Sequence, residues 1–520
     1  MAEGIAPGSP VAVVGAGTMG AGIAQIAAAA GHPVFLFDAV DGAVDRALAD
    51  LRLRMEASVA KGRRTADEAQ EILGLIVGCG WLAECAPASL VIEAIIENLD
   101  IKRQVLADLE ELAGPEAIMA TNTSSLSITA IASGLARPER FVGMHFFNPA
   151  PAMPLVEIVS GAATVPEITD AAYATAAAWG KVPVRCSSTP GFIVNRVARP
   201  FYGEGLRMAV EGVADDVTID ALMTGSGGFR MGPFALMDLV GLDVNLAVSK
   251  SVFEQSFHDS RFAPNVLQQS LVDAGRLGRK TGRGFYDYSD EAPQAAPQVL
   301  GAATAPTKVE AHGDLGWAAG LAGRLAAAGV DVDEVPAGGP GHLIFDGVHL
   351  MPTDGRPATD LAVGRVFGTD NVVVFDLVHD WDSVAHTGIA VADQAAAGVG
   401  SRAAGLFQAI GCSVSRIDDT PGLVVMRTVA QLAAVAADAV NEGVASAADV
   451  DTAMRLGTNY PSGPLEWADR LGAGRIATVL ENMHAGYGED RYRVPVMIRR
   501  HAATGNPLTL GANGSGGSDG

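Results

Sequence analysis

The chain has 520 residues, a formal net charge of −23, 49% hydrophobic and 18% charged residues. At about 150 residues per domain, that length calls for three or four units, each able to bury a core. The acidic balance argues against nucleic acid, whose phosphates are met with Lys and Arg, and no uninterrupted apolar run of about 18 residues marks a membrane span.

Residues 1–10 carry no basic segment followed by an apolar one and no Arg-rich amphipathic pattern, so the sequence predicts a cytoplasmic protein. Val11–Val14 is a short apolar run that feeds Gly15-Ala16-Gly17-Thr18-Met19-Gly20, a G-x-G-x-x-G turn. Gly20–Ala30 reads as a small-residue helix stopped by Gly31, Val34–Phe37 reads as a buried strand, and Asp38 closes that strand. The glycines allow a tight turn and close approach to a pyrophosphate, which the unpaired N–H groups of the helix start can meet. Asp38 falls where a ribose hydroxyl is bound, and its charge would repel a 2′-phosphate. The segment therefore predicts a Rossmann-type α/β domain over residues 1–188 that takes NAD, with Gly15, Gly17, Thr18, Met19, Gly20 and Asp38 at the cofactor.

Two basic clusters follow, Lys61 to Arg64 and Arg276 to Arg283. Either could hold a polyphosphate, or be solvated surface cations on an acidic protein. Cys79, Cys85, Cys186 and Cys412 are scattered without C-x-x-C spacing, which predicts reduced thiols and no metal site. The apolar run Ala117–Ala120 ends in Thr121-Asn122-Thr123-Ser124-Ser125-Leu126, placing hydroxyls and amides at the C-terminal edge of the sheet, where ligands bind in open α/β folds. His145 stands at the end of the next apolar run, and Glu157 lies within Leu155–Val159, where an unpaired carboxylate is costly. Oxidation of a secondary alcohol by NAD needs a base, an acid that orients it and polar groups around the oxygen. The residues also fit a structural histidine, a salt-bridged Glu157 and an Asn195 that caps a helix.

Thr189 to Arg196 returns as Thr420 to Arg427, an offset of 231 that also relates Glu211–Ala214 to Glu442–Ala445, Asp220 to Asp451, and Met231–Pro233 to Ser462–Pro464. This predicts a duplicated all-α domain over 189–290 and 412–505. A linker over 291–312 is rich in Ala, Pro and Gln. A reduced α/β segment follows over 313–411, with helix and strand signals at Leu315–Ala328, Val363–Phe367 and Val372–Phe375 and no glycine fingerprint. The stretch 506–520, Gly/Ser-rich from Gly511, reads as a flexible tail. The same offset puts Asp376 at the place of His145, Gly388 at Glu157 and Met426 at Asn195, so the second half is expected to do no hydride chemistry.

The Gly15 turn, Ile92 to Glu97, Asn122 to Ser125, His145 to Pro149, Thr189 to Arg196 and Gly278 to Tyr286 together resemble the L-3-hydroxyacyl-CoA dehydrogenase family. The resemblance implies that His145 is the general base, Glu157 its orienting partner, and Ser124 and Asn195 the groups around the substrate oxygen. It also implies that Asp38, Glu97 and Lys102 contact NAD, with Asn122, Ser124 and Asn148 of the matching motifs beside them. An acyl-CoA becomes the expected substrate, with Lys61 and Arg64 suited to its phosphates. Long members of the family with two helical domains include some that act on hydroxyadipyl-CoA in aromatic-acid catabolism. The family's helical domain commonly mediates dimerisation, so either a homodimer or a pseudo-dimer within one chain is expected. A dehydrogenase of free 3-hydroxy acids and a non-catalytic NAD-binding protein are the alternatives.

Overall fold

The computed structural model describes residues 3–511. The chain divides into two compact units, Met1–Arg196 with Gly443–Thr458, and Val197–Glu442 with Asn459–Gly520. In the first, β1 (Val11–Val14), β2 (Val34–Phe37), β3 (Ile76–Gly78), β4 (Leu90–Glu93), β5 (Ile118–Thr121), β6 (Phe141–Phe146), β7 (Leu155–Ser160) and β8 (Val182–Ser187) form an eight-stranded sheet. Its order is β3-β2-β1-β4-β5-β6-β7-β8, parallel throughout except for the antiparallel pair β6–β7. β1, β4, β5 and β6 are buried at every position, as strands covered on both faces must be. Val11, Val13, Ile23, Leu36, Ile92, Met144 and Ile158 are fully buried in the core of this unit, each contributing about 1.5 to 3 kcal/mol of apolar burial. Strand order reverses between β1 and β4, which opens a crevice at their C-terminal ends.

The second unit holds a seven-stranded sheet of β9 (Lys308–Asp314), β10 (Asp331–Pro340), β11 (His342–Phe345), β12 (Val348–Pro352), β13 (Val372–Phe375), β14 (His386–Val391) and β15 (Ser413–Arg416). The offset of 231 extends into it. β12 to β15 stand at the places of β5 to β8, and their successive pairings, parallel, antiparallel and parallel, repeat those of β5 to β8. What precedes β12 follows another plan: β9 pairs parallel with β10 and antiparallel with β11, so the strand that would carry a glycine turn has no counterpart.

Three boundaries differ from expectation. The α/β segment begins inside the expected linker, because Lys308 already pairs in β9, and it ends with β15 at Arg416, which needs β14 as its hydrogen-bonding edge. Val363–Phe367 is no strand: the helix Ala358–Val363 stops at Gly364, and Arg365 turns at φ 53. Residues 506–511 belong to the folded helical copy, since Leu508 is buried, Asp469 accepts the N–H groups of Leu508 and Thr509, and the Gly511 N–H donates to Leu508 O; the remainder of the expected tail, 512–520, lies outside the described residues.

The two helical copies pack on each other within the second unit, helix Arg199–Glu211 of the first against Val425–Asn441 of the second. The latter is buried from Val425 to Val440, the mark of a helix enclosed on all sides. Arg427 is fully buried there and pairs with Glu204 at 2.6 Å and Glu211 at 2.7 Å. Among the described residues no helix is long and apolar enough to cross a membrane.

Candidate active site

The helix Thr18–Ala29 starts at Gly17 with no side-chain cap, leaving its first N–H groups for a ligand. Two glycines are sterically required: Gly15 has φ +109 and a Cβ there would meet Ala94 O at 2.5 Å, while a Cβ on Gly20 would meet Gly15 O at 1.8 Å. A Cβ on Gly17 would meet nothing within 4 Å, so the backbone there is open to approach. Thr18 lines a cavity of about 370 Å³ with Ala16, Gly17, Asp38 and Val40. Asp38 holds the turn together, accepting N–H bonds from Ala16 at 2.7 Å and Val40 at 2.8 Å. Uncapped helix, open backbone and adjoining acid fit the pyrophosphate and ribose of a dinucleotide. Met19 follows Thr18 in the first turn and packs partly buried against the core.

Beside this turn stands a buried ion network centred on Glu93, a residue to which the sequence assigns no role. Glu93, at the end of β4, accepts from Lys102 Nζ at 2.7 Å, Thr121 Oγ1 at 2.7 Å and the Ile95 N–H at 2.7 Å. Lys102, expected at the cofactor, is 1% exposed, and its ammonium also reaches Glu97 at 3.2 Å. It therefore supplies positive charge beneath Glu97 and is shielded from solvent. Glu97 Oε1 gathers the loop after β5, accepting the Ser124 N–H at 2.9 Å, the Ser125 N–H at 3.2 Å and the Thr123 hydroxyl at 2.7 Å. Burial pushes the Glu97 carboxyl up, but the Lys102 ammonium, the Thr123 hydroxyl and the Ser124 N–H outweigh it and hold the carboxyl below its ordinary value.

β6 and β7 place His145 and Glu157 opposite one another in register. His145 Nδ1 lies 2.7 Å from Glu157 Oε2, with Phe147 and Phe192 rings at 4.5 and 5.9 Å from the imidazole. Among the described residues His145 Nε2 has no hydrogen-bond partner. A carboxylate on Nδ1 fixes the tautomer that leaves Nε2 to act on a ligand. Asn122 Oδ1 accepts the Phe146 N–H at 2.8 Å, tying the loop after β5 to the residue that follows His145. Asn148, expected at the cofactor, is exposed just beyond β6.

Glu157 has a second task. Its Oε1 accepts the Ile193 and Val194 N–H groups at 3.0 and 2.9 Å. These belong to the turn that opens the first helical copy, where Gly191 and then Phe192 take positive φ (75 and 49). A non-glycine residue there is strained by about 1 kcal/mol or more, and the bonds to Glu157 hold it. The same turn carries Asn195, whose Nδ2 donates to Ser124 O at 3.4 Å. Ser124, His145, Glu157 and Asn195 are thus joined through one set of loops.

The second copy shows the tasks separated. Leu423, equivalent to Phe192, also has positive φ (55). The N–H groups of Val424, Val425 and Met426 are taken by Asp376 at 2.9, 2.7 and 3.0 Å. The turn keeps its carboxylate, moved one strand over to the place of His145, while Gly388 replaces the acid. The capping carboxylate is kept in the second copy, and the histidine–carboxylate pair is not.

Other expected residues lie apart. Arg64 lines a separate cavity of about 370 Å³ with Gln25, Trp179 and Lys181, and Lys61 is exposed where the helix Ala43–Ala60 ends. None of the residues lining that cavity belongs to the His145 cluster. In the other basic run, Lys280 is spent on Asp243 at 2.6 Å, and Asp238 takes the N–H groups of Phe285 and Tyr286. The four cysteines are buried free thiols.

Comparison with known proteins agrees with this architecture. Residues 10–189 match the family model for the 3-hydroxyacyl-CoA dehydrogenase NAD binding domain. Residues 191–288 and 422–512 match its C-terminal domain, and 350–421 a 3-hydroxybutyryl-CoA dehydrogenase reduced Rossmann-fold domain. The chain is 42% identical over 493 residues to the 3-hydroxyadipyl-CoA dehydrogenase of Escherichia coli (strain K12), covering 95% of this chain and 97% of that one. It is 42% identical over 279 residues to the 3-hydroxybutyryl-CoA dehydrogenase of Clostridioides difficile, covering 54% of this chain and 99% of that one. A crystal structure of 3-hydroxybutyryl-CoA dehydrogenase from Escherichia coli K12 superposes with a TM-score of 0.86 at 41% identity, covering 97% of this chain and 99% of that one. The chain belongs to the 3-hydroxyacyl-CoA dehydrogenase family and is an NAD-dependent oxidoreductase of that class.

Proposed function

We propose that the chain oxidises a short (S)-3-hydroxyacyl-CoA to the 3-ketoacyl-CoA with His145 as the acid–base residue. His145 Nε2 takes the hydroxyl proton, and Glu157 accepts from Nδ1–H and stabilises the imidazolium as it forms. Ser124 and Asn195 hydrogen-bond the substrate oxygen. When bound, NAD supplies the acceptor for the hydride that leaves C3. In the reverse direction the imidazolium gives its proton to the ketone oxygen. The reading rests on the buried His145–Glu157 pair at 2.7 Å with Nε2 unengaged among the described residues.

Gly15, Gly17, Thr18, Met19, Gly20 and Asp38 are assigned to the dinucleotide, with Glu97, Asn122, Ser124 and Asn148 around its nicotinamide end. For the acyl group, relatives matched over nearly the whole chain are named for 3-hydroxyadipyl-CoA and 3-hydroxybutyryl-CoA, and these two are the proposed substrates. A cytoplasmic enzyme whose second helical copy serves as a built-in partner for the first is the accompanying proposal, supported by the packing of helix Arg199–Glu211 on Val425–Asn441. The test is NADH consumption at 340 nm with acetoacetyl-CoA and, separately, with free acetoacetate. Turnover confined to the thioester supports the reading, and turnover confined to the free acid overturns it.

A further inference from the structure

The strand that carries Glu157 is packed by a helix of the second helical copy. Along β7, Val156 and Ile158 point into the core of the first sheet, so Leu155, Glu157 and Val159 share the other face. Helix Ala447–Thr458, from the second helical copy, packs against β7 and β8 on the first unit. It approaches closely: a Cβ on Gly457 would lie 2.8 Å from Leu155 Cδ2 and 2.9 Å from Val194 Cγ2. Both neighbours bear on the site, for Leu155 is two residues from Glu157 on the same face, and Val194 donates its N–H to Glu157 and precedes Asn195. The approach is pinned where the chain enters the helix, since the Ser187 N–H donates to Val444 O at 2.8 Å.

The second unit repeats the arrangement with the sizes exchanged. Helix Asp216–Gly225, equivalent by the offset of 231, packs on β14, and a Cβ on Gly388 would lie 3.3 Å from Leu222 Cδ1. Leu222 fills the room left by a missing acid. Its counterpart on helix Ala447–Thr458 is Ala453, a fully buried small residue. A large side chain on the helix goes with glycine on the strand, and a small one with glutamate.

We infer that helix Ala447–Thr458 is a working part of the catalytic unit, its small residues Ala453 and Gly457 setting the positions of Glu157 and Asn195. They act as positioning residues, since neither touches substrate. This inference rests on the reading of His145 and Glu157 given above. It explains why the second copy retains its helices after losing its own acid–base residues.

The test is steady-state reduction of acetoacetyl-CoA by the full-length Gly457→Val variant, with Gly457→Ala read in its place if the larger residue blocks folding. Displacement of Glu157 and Asn195 is expected to lower kcat by about tenfold to a hundredfold, with KM for NADH and for the thioester unchanged. Adding Val194→Ala, which removes one of the two close contacts of the new side chain, is expected to recover part of the loss. A folded variant with parental kcat overturns the inference, as does a loss carried by KM for NADH. Absence of thioester turnover in the parent would instead overturn the underlying reading of the site.

Discussion

Replacing Glu157 by glutamine separates its two tasks. The carboxylate serves three donors, His145 Nδ1 at 2.7 Å and the N–H groups of Ile193 and Val194 at 3.0 and 2.9 Å. A glutamine has one acceptor oxygen. Turned towards His145, it leaves two buried N–H groups facing an NH₂, at about 1 to 3 kcal/mol each. The amide therefore turns its oxygen to Ile193 and Val194 and presents NH₂ to the imidazole. Nδ1 must then accept, which puts the proton of the neutral ring on Nε2, and no negative charge remains to stabilise the imidazolium. The corresponding amide replacement in a Ser-His-Asp triad costs about 10⁴-fold, so a fall in kcat of about 10³ to 10⁴-fold, or about 4 to 5.5 kcal/mol, is expected here. The assay is NADH oxidation with acetoacetyl-CoA alongside NADH binding by fluorescence and a thermal melt. A kcat within about tenfold of the parent would refute the argument that the carboxylate sets the tautomer and charge of His145.

Removing the charge of Asp38 with asparagine keeps an acceptor for the Ala16 N–H and lifts the repulsion of a 2′-phosphate, so the NADH to NADPH preference in kcat/KM should fall about tenfold; an unchanged ratio would show that Asp38 does not select the cofactor. Glu97 is held below its ordinary value of 4.5, so the stability it contributes is present above that value and is lost as pH falls through the lower value of the folded state. The difference in melting temperature between the parent and Glu97→Gln should accordingly be constant near neutrality and shrink below pH 4.5. A difference that holds steady across that range would contradict the ion network described beneath the loop.

Much of the candidate site is legible because its residues stand in short contiguous stretches. A glycine turn between an apolar run and a small-residue helix has few physical meanings, and His145 and Glu157 are polar residues in runs where burial demands a partner. Lys102 was harder to place, since its partner Glu93 lies nine residues away at the end of β4. A signal existed: Glu93 closes an apolar run just as Asp38 does. The offset marks Asp376 only as a lost histidine, because its work as the cap of the second turn depends on three backbone donors some fifty residues on, which no local pattern announces. The duplication was plain from the offset, yet helical periodicity says only that one face of Ala447–Thr458 is buried. Which sheet receives that face is decided by tertiary packing. The start of the second α/β segment is not legible for a related reason: Lys308–Asp314 is a strand only by virtue of its pairing with β10 and β11.

The most direct test of the central claim is the turnover of His145→Gln with acetoacetyl-CoA and NADH, measured beside its NADH affinity. Loss of about a hundredfold or more in kcat with NADH binding unchanged is the predicted result. Near-parental turnover would contradict it, because the proton would then have to come from a group other than the imidazole that Glu157 orients.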